Sequence, residues 1–428
     1  MTRSRLLLAG LVLVGVAQVV LARLTAARGG ILAHRYALLA EVLVWGLLGA
    51  VGVAVALRLP SRSCLPVLLV IGLLTPVAAL SRKAPLSDDL YRYAWDGIVQ
   101  VHGTDPYRYP PDAEQLRALR VPWLFPPQQR TVLNRPSVRT IYPPVAEGWF
   151  TLEHLVVPLS TRDLGYELVG LLLVLAVLAV LLALLQDRRW VALWVLSPLP
   201  AVEAVENAHV DALAVLLVLL VLLAARRRPY LAVALLAAAT LVKIYPGVLL
   251  PLLVGQRDRV RKVLLFGGLC ALSYLPHVLA VGTQVVGYLP GYLREEHYGR
   301  GSRYLLLGLL GLSGTVASVV VALLLVGTVL LLVRARLSLP EAMTRLLVVL
   351  LLVVTPVQPW YALLLLGCLT AAGAWWALPV VLAAYPLYFA AVLDGDQVLL
   401  GRVGYLAAAM VSGRLLMESR RREVRRPA

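Results

Sequence analysis

Two adjacent carboxylates, Asp88 and Asp89, open the polar stretch SDDLYRYAWDGIVQVHGTDPYRYPP, residues 87–111, directly after a long apolar run. A carboxylate so placed can take a proton from a hydroxyl group. It can equally cap a helix and meet the helix dipole. The doubling of the acid, with Tyr91, Arg92, Tyr93, Trp95 and Asp96 behind it, favours chemistry over capping alone. Asn207, His209 and Asp211 begin another apolar run, with Glu203 and Glu206 ahead of them at helical spacing. On a helix His209 and Asp211 point about 200° apart, which argues against a shared metal ion and leaves a capped helix end as the competing reading. Ionisable residues at the edge of a span nevertheless usually face a cavity or a partner. Lys243, in the sequence KIYP at 243–246, stands inside an apolar run. It either snorkels to the surface or meets an anion such as a phosphate. Gln358, Trp360 and Tyr361, in QPWY, interrupt a further apolar region. The rings serve as interfacial anchors or as a platform for the C–H face of a sugar whose hydroxyls Gln358 reaches. The segment 290–304 adds Arg294, Glu295, Glu296, His297 and Arg300, by default a solvated charge run.

The elements that must position these groups are membrane helices. The chain has 428 residues, 60% of them hydrophobic, and a mean hydropathy of +0.83, whereas a soluble protein is closer to half apolar. Crossing a bilayer takes roughly 20 mostly apolar residues. Expected spans cover 6–25, 37–57, 64–80, 163–186, 190–206, 208–225, 263–281, 304–333, 343–356, 359–373, 375–393 and 401–418. The run 229–254 has arginines at both ends, which a straight helix would put on opposite sides. Pro246 removes a backbone donor and restricts the residue before it, so a broken hairpin turning at 243–246 is expected. The first run follows Met1–Arg5 without a persuasive cleavage site and is read as a helix. All this makes an all-α, polytopic membrane protein with no separate soluble domain.

The net charge of +17 does not mark a nucleic-acid binder. The basic residues cluster at the ends of apolar runs: Arg226–Arg228, Arg257–Lys262, Arg334 with Arg336, and Arg420–Arg426. That is the distribution of cytoplasmic membrane loops. It places both termini in the cytoplasm and the stretch 81–162, the end near His209, the loop 282–303 and Gln358–Tyr361 outside; only Arg23, Arg28 and Arg35 run against it. A loop of about 80 residues is too long to be a mere connector. Its first part reads as a helix capped by Ser87 and ended by Gly103, with Leu90, Tyr93, Ala94, Gly97 and Val101 on one face, lying in the membrane interface. A second short helix is expected from Pro111-Asp112, and a third interfacial one before the next span. Cys64, Cys270 and Cys368 are scattered, with neither metal spacing nor an obvious disulfide.

No P-loop, dinucleotide fingerprint or zinc-spaced ligand set is present, so no metal ligands and no cofactor are expected. Nucleotide sugars stay in the cytoplasm, so a transferase working on the outer face must draw its activated group from a lipid carrier. The ordered motifs DLYRYAWDG (89–97), DPYRYPP (105–111), TIYPP (140–144), HVDAL (209–213), KIYP (243–246) and QPWY (358–361) resemble the GT-C membrane glycosyltransferases that use polyprenyl-phosphate sugars. Within them the likeness is to actinobacterial polyprenyl-phosphate-mannose-dependent mannosyltransferases, including glycosyltransferase family 87 and the enzymes that build lipomannan. It runs from about 80 to 365.

The resemblance implies one GT-C domain over 1–428, with about 11–14 membrane helices, some broken. It implies inverting transfer of a sugar, mannose first and arabinose or another sugar second, at the outer face of a bacterial cytoplasmic membrane. Partners are a polyprenyl-phosphate-sugar donor, a glycolipid or lipoglycan acceptor and membrane lipids. An acid of the first long outer loop is then the base: Asp89 first, because it immediately precedes Leu-Tyr-Arg-Tyr, and Asp88 second. The doubled acid departs from the family's single one and keeps both candidates open. Arg92, Lys243 and Arg300 are the donor-phosphate candidates, in that order. Tyr91, Trp95, Asp96, Tyr142, His209, Asp211, His297, Gln358, Trp360 and Tyr361 are the sugar- and acceptor-binding candidates. A transporter or flippase of lipid-linked sugars is the rival from another class. It calls for polar residues deep in several spans, whereas here they concentrate toward one face.

Overall fold

The computed structural model describes residues 3–81, 86–128, 130–255 and 258–424; Arg257, Arg425 and Arg426 of the basic clusters lie outside the described residues. Every regular element among the described residues is helical. Among the described residues, seven helices are long and apolar enough to cross a bilayer, or eight if one bent pair counts as a span. Helices α1 (Arg3–Arg28), α2 (Ile31–Ala56) and α3 (Ser61–Ala78) pack as a group. Their outward faces carry bare leucines and valines, as at Leu13 and Leu47. Such faces suit hydrocarbon, because lipid tails satisfy no backbone polar group and only a helix closes its hydrogen bonds within itself.

The polar stretch forms α4 (Asp89–Val101), and here the interfacial reading is corrected. Residues from Leu90 through Val99 are all buried, so the helix runs through the protein interior and does not float one face in the interface. It packs on α5 (Pro144–Val156), the expected third helix of the loop. The approach is closest at Gly97, where a Cβ would lie 2.4 Å from the Phe150 carbonyl oxygen. The capping expectation is also corrected. Asp88, not Ser87, flanks the helix start and makes no capping bond, while the Ser87 Oγ accepts from the Asp89 N–H only at 3.4 Å. Gly103, at φ +76°, follows the helix end as expected. Instead of a helix from Pro111-Asp112, a short 3₁₀ turn covers Glu114–Leu119.

Helix α6 (Asp163–Leu184) is a single span. The expected span 190–206 is broken into turns at Arg188–Val191 and Ala192–Val195 and a π-type segment, Pro200–Glu206. Pro198 and Pro200 account for the interruption, since each lacks the N–H a helix needs. That segment meets the helix Asp211–Ala224 at a bend of 117°. Ala208 turns the chain there at φ +48°, an uncommon conformation for a residue with a Cβ.

The run 229–254 is interrupted where expected: the helix Pro229–Thr240 gives way to Tyr245–Leu249 and Leu250–Val254. Leu250–Val254 touches Pro229–Thr240, whereas a straight helix would carry residues ten apart about 15 Å away, so the chain folds back. The expected spans 304–333 and 375–393 are likewise split, into Leu305–Gly308 with Gly314–Arg334 and into short turns between Trp375 and Ala390.

Candidate active site

The start of α4 is pinned from two directions. The Leu86 N–H donates to the Asn207 Oδ1 at 2.8 Å, and the Tyr388 hydroxyl donates to the Leu86 carbonyl at 3.1 Å. These bonds tie the loop to the bend at 207–210 and to the C-terminal helices, and they set Asp89 at the edge of a cavity of about 990 Å³. The Asp89 carboxylate accepts from the Asn134 side chain at 2.7 Å and from the Tyr142 hydroxyl at 3.3 Å, and it keeps some exposure to the cavity. Asp88 opens onto the same cavity; crowding by the walls, and then the charge of Asp89, raises its pKa.

Among the described residues, four cations line the cavity: Arg92, Arg135, Arg139 and Lys243. Arg92 is buried and forks onto Asp96 at 3.0 and 3.1 Å, with Nη1 donating to the Val138 carbonyl and Nη2 without a hydrogen-bond partner. Asp96 sits beside a second buried acid, Glu147, which accepts from Thr140 and Gln100. Burial, and then the Asp96 charge, push the Glu147 carboxyl well above its usual range. Lys243 pairs with Asp211 at 3.2 Å, and its ammonium lies over the faces of Tyr142 and Tyr361. Arg135 pairs with Glu295 at 2.9 Å, and Arg139 donates to the Arg108 carbonyl. Ile31, Leu32, Leu289, Leu293, Leu350 and Val354 also line the cavity and give it an aliphatic wall.

Of the residues singled out in the sequence, Asp88, Asp89, Arg92, Tyr142, Lys243, Gln358, Trp360 and Tyr361 line this one cavity. Gln358 also donates to Glu296 at 3.1 Å. His209 and Asp211 lie directly behind the wall, their side chains fully buried, reached through Asp89 and Lys243 respectively. Three residues of α4 point elsewhere. The Tyr91 hydroxyl donates to Asp163 and its ring meets Trp123 edge-on; Trp95 packs on Phe125; Asp96 serves Arg92. His297 and Arg300 are exposed and outside the cavity lining; Arg303, three residues on, is the buried one, paired with Glu296 at 3.0 Å.

Sequence reasoning missed Asn134, Arg135, Arg139, Tyr245, Tyr292 and Tyr388, which also face the cavity. Arg135 and Arg139 carried a signal as arginines of the outer loop; Asn134 sits in irregular chain with no pattern to mark it. Among the described residues, no three His, Cys, Asp or Glu side chains gather as metal ligands do.

An acid held by neutral donors, several cations within the same cavity, aromatic rings and aliphatic side chains suit a reaction that deprotonates a hydroxyl and releases an anion carried on lipid. The comparisons with known proteins bear on that chemistry. The model of glycosyltransferase family 87 matches residues 141–356, just over half of the chain. The match takes in Tyr142, His209, Asp211 and Lys243, and it begins beyond Asp88 and Asp89. No curated protein and no solved structure matches. The chain belongs to glycosyltransferase family 87 and is an all-α, polytopic membrane glycosyltransferase.

Proposed function

We propose that the protein transfers a sugar, mannose first, from a polyprenyl-phosphate carrier to a glycolipid or lipid-linked glycan acceptor at the outer face of the cytoplasmic membrane. The observation that carries this reading is the shared cavity, in which the Asp89 carboxylate, four cations and an aliphatic wall meet. A lipid-phosphate donor is amphiphilic, and this lining suits both of its ends. Mannose, in preference to a pentose, rests on the motif resemblance.

In the reaction, Asp89 takes the proton of the acceptor hydroxyl as that oxygen attacks the anomeric carbon. The bond from that carbon to the phosphate oxygen breaks, and its electron pair leaves with the lipid phosphate. A single displacement of this kind inverts the anomeric centre. Phosphate is a good leaving group and needs no acid; its charge is met by cations already in place, which is where preorganised charge counts most. Arg92 and Lys243 are paired with Asp96 and Asp211, whereas among the described residues the Arg139 guanidinium donates to a carbonyl and meets no carboxylate. The phosphate therefore has Arg139 as a further partner beside the sequence candidates. Trp360 and Tyr361 offer ring faces to the sugar.

The test is incubation of the purified protein with a panel of radiolabelled polyprenyl-phosphate sugars and a lipid extract, with products read by mass. Transfer of one hexose with release of polyprenyl phosphate is expected. Turnover of nucleotide sugars alone would refute the reading. Orientation is tested separately with single cysteines at Thr104 and Arg228 after the three native cysteines are replaced. Only the first should react with an impermeant reagent on intact cells; reaction of both from outside would overturn the outer-face assignment.

A further inference from the structure

His209 does not face the cavity, so a contact with sugar is not its role. Its side chain is fully buried, and each ring nitrogen faces a carboxylate: Nδ1 lies 3.7 Å from Asp89 Oδ2, and Nε2 lies 3.5 Å from Glu203 Oε2. Among the described residues neither nitrogen has a partner at hydrogen-bond distance, so the two carboxylates are its nearest polar neighbours. The ring is clamped flat against Trp360, with centroids 3.9 Å apart and planes 26° from parallel. Glu203 is fixed in turn, by the Tyr385 hydroxyl at 2.6 Å and the Asn207 amide at 3.0 Å. The chain makes a left-handed turn at Ala208, immediately before His209. Strain of that kind persists only where the surroundings over-determine it.

Resting on the reading of Asp89 as the base, we propose that His209 is its positioning residue, with Glu203 fixing the imidazole tautomer. A neutral imidazole has one N–H and one lone pair. A base awaiting a proton is ionised, so Nδ1 must present its N–H to Asp89. Nε2 is then the lone pair, and Glu203 must present an O–H to it. The line Glu203–His209–Asp89 thereby adds a third donor to a carboxylate already held by Asn134 and Tyr142, and it aims Oδ2 while the acceptor hydroxyl approaches. Contacts of this kind are often long without substrate and tighten in the complex. The titratable groups facing the ring are Asp89 from α4 and Glu203 from the π-type segment, with Lys243 nearby from the break after Pro229–Thr240 and paired with Asp211, two residues along the chain from His209.

The sign of the pH effect follows. A donor to a carboxylate favours its ionised form, and losing His209 removes one from Asp89. The acid limb of kcat/KM, which reports the base in the free enzyme, then moves to higher pH. For His209→Leu and His209→Gln the expected result is a limb shifted up by roughly one pH unit, kcat down roughly 10–100-fold and both KM values little changed. His209→Asn puts an amide N–H near the Nδ1 position and should recover most of the rate and the normal limb. Glu203→Gln, whose amide can still donate to Nε2, should also keep the limb in place.

An unmoved limb in the Leu and Gln variants, or an Asn variant no better than Leu, overturns the proposal. If the Leu variant does not fold, the Gln and Asn variants decide it by the same ranking. Asp89→Asn is run beside them. Full turnover there refutes the base itself, whereas an inactive Asp89→Asn with wild-type His209 variants refutes only the role of His209.

Discussion

Helix α4 and the helix Arg259–Val281 invert the arrangement familiar from soluble proteins. Helix α4 carries Asp89, Arg92 and Asp96 within 13 residues, and ten of its residues are buried. Arg259–Val281 is 23 residues long and apolar for most of its length, yet none of its residues is buried. In water the opposite would hold, because burial of apolar surface drives folding. In a bilayer a leucine gains little by leaving lipid for protein, since both are hydrocarbon; what gains is a polar group that finds its partner and a small residue that lets backbones approach. Helix α4 supplies both, in Arg92–Asp96 and in Gly97. Between these two helices, polarity marks the interior and the site, and apolarity marks the periphery.

Substitutions along the two helices sharpen or break that contrast, and the largest effect is expected at the cavity end of α4. Asp89→Asn keeps the side-chain volume, and its single amide oxygen can still accept from Asn134 or from Tyr142, but it is no base. Sugar transfer should fall by about 10²–10⁴-fold while donor binding, measured by fluorescence or filtration, stays near normal. Asp88→Asn should be milder, and the reverse ranking would exchange the two roles. Deeper in the same helix, Arg92→Met leaves Asp96 buried without its cation. Loss of one partner of a buried pair typically costs about 3–5 kcal/mol, so a denaturant titration in mixed micelles should show a large shift. A variant as stable as the parent would mean that the polar interior is not what holds α4.

Gly97→Ala tests the packing alone. Its added Cβ meets the backbone of Phe150 and a clash with backbone cannot relax by rotation, so about 1–3 kcal/mol of destabilisation is expected. The smallest effect belongs to the other helix. A Cβ at Gly268 meets nothing within 4 Å, and Gly268→Ala should change stability by no more than about 0.5 kcal/mol in either direction. Equal losses at Gly97 and Gly268 would erase the distinction between interior and lipid-facing helix.

What the sequence determined by itself was local in origin. Runs of spanning length announced membrane helices, because bilayer thickness and backbone hydrogen bonding leave few alternatives. Pro246 and the QPWY segment announced breaks, because a missing N–H acts within one turn. The grouping of Asp88, Asp89, Lys243, Trp360 and Tyr361 was legible through an ordered set of motifs; spacing alone would not have joined residues so far apart. Tertiary structure decided the rest. It turned Tyr91 and Trp95 of α4 into packing residues, put His297 and Arg300 outside the cavity, and brought in Asn134 and Arg139 from irregular chain. It also set Lys243 against Asp211 and His209 between two acids. These meetings depend on which helix faces pack together and on one left-handed turn at Ala208. Such choices are settled by contacts between separate elements, as of His209 with Asp89 and of Lys243 with Asp211, and no local period records them.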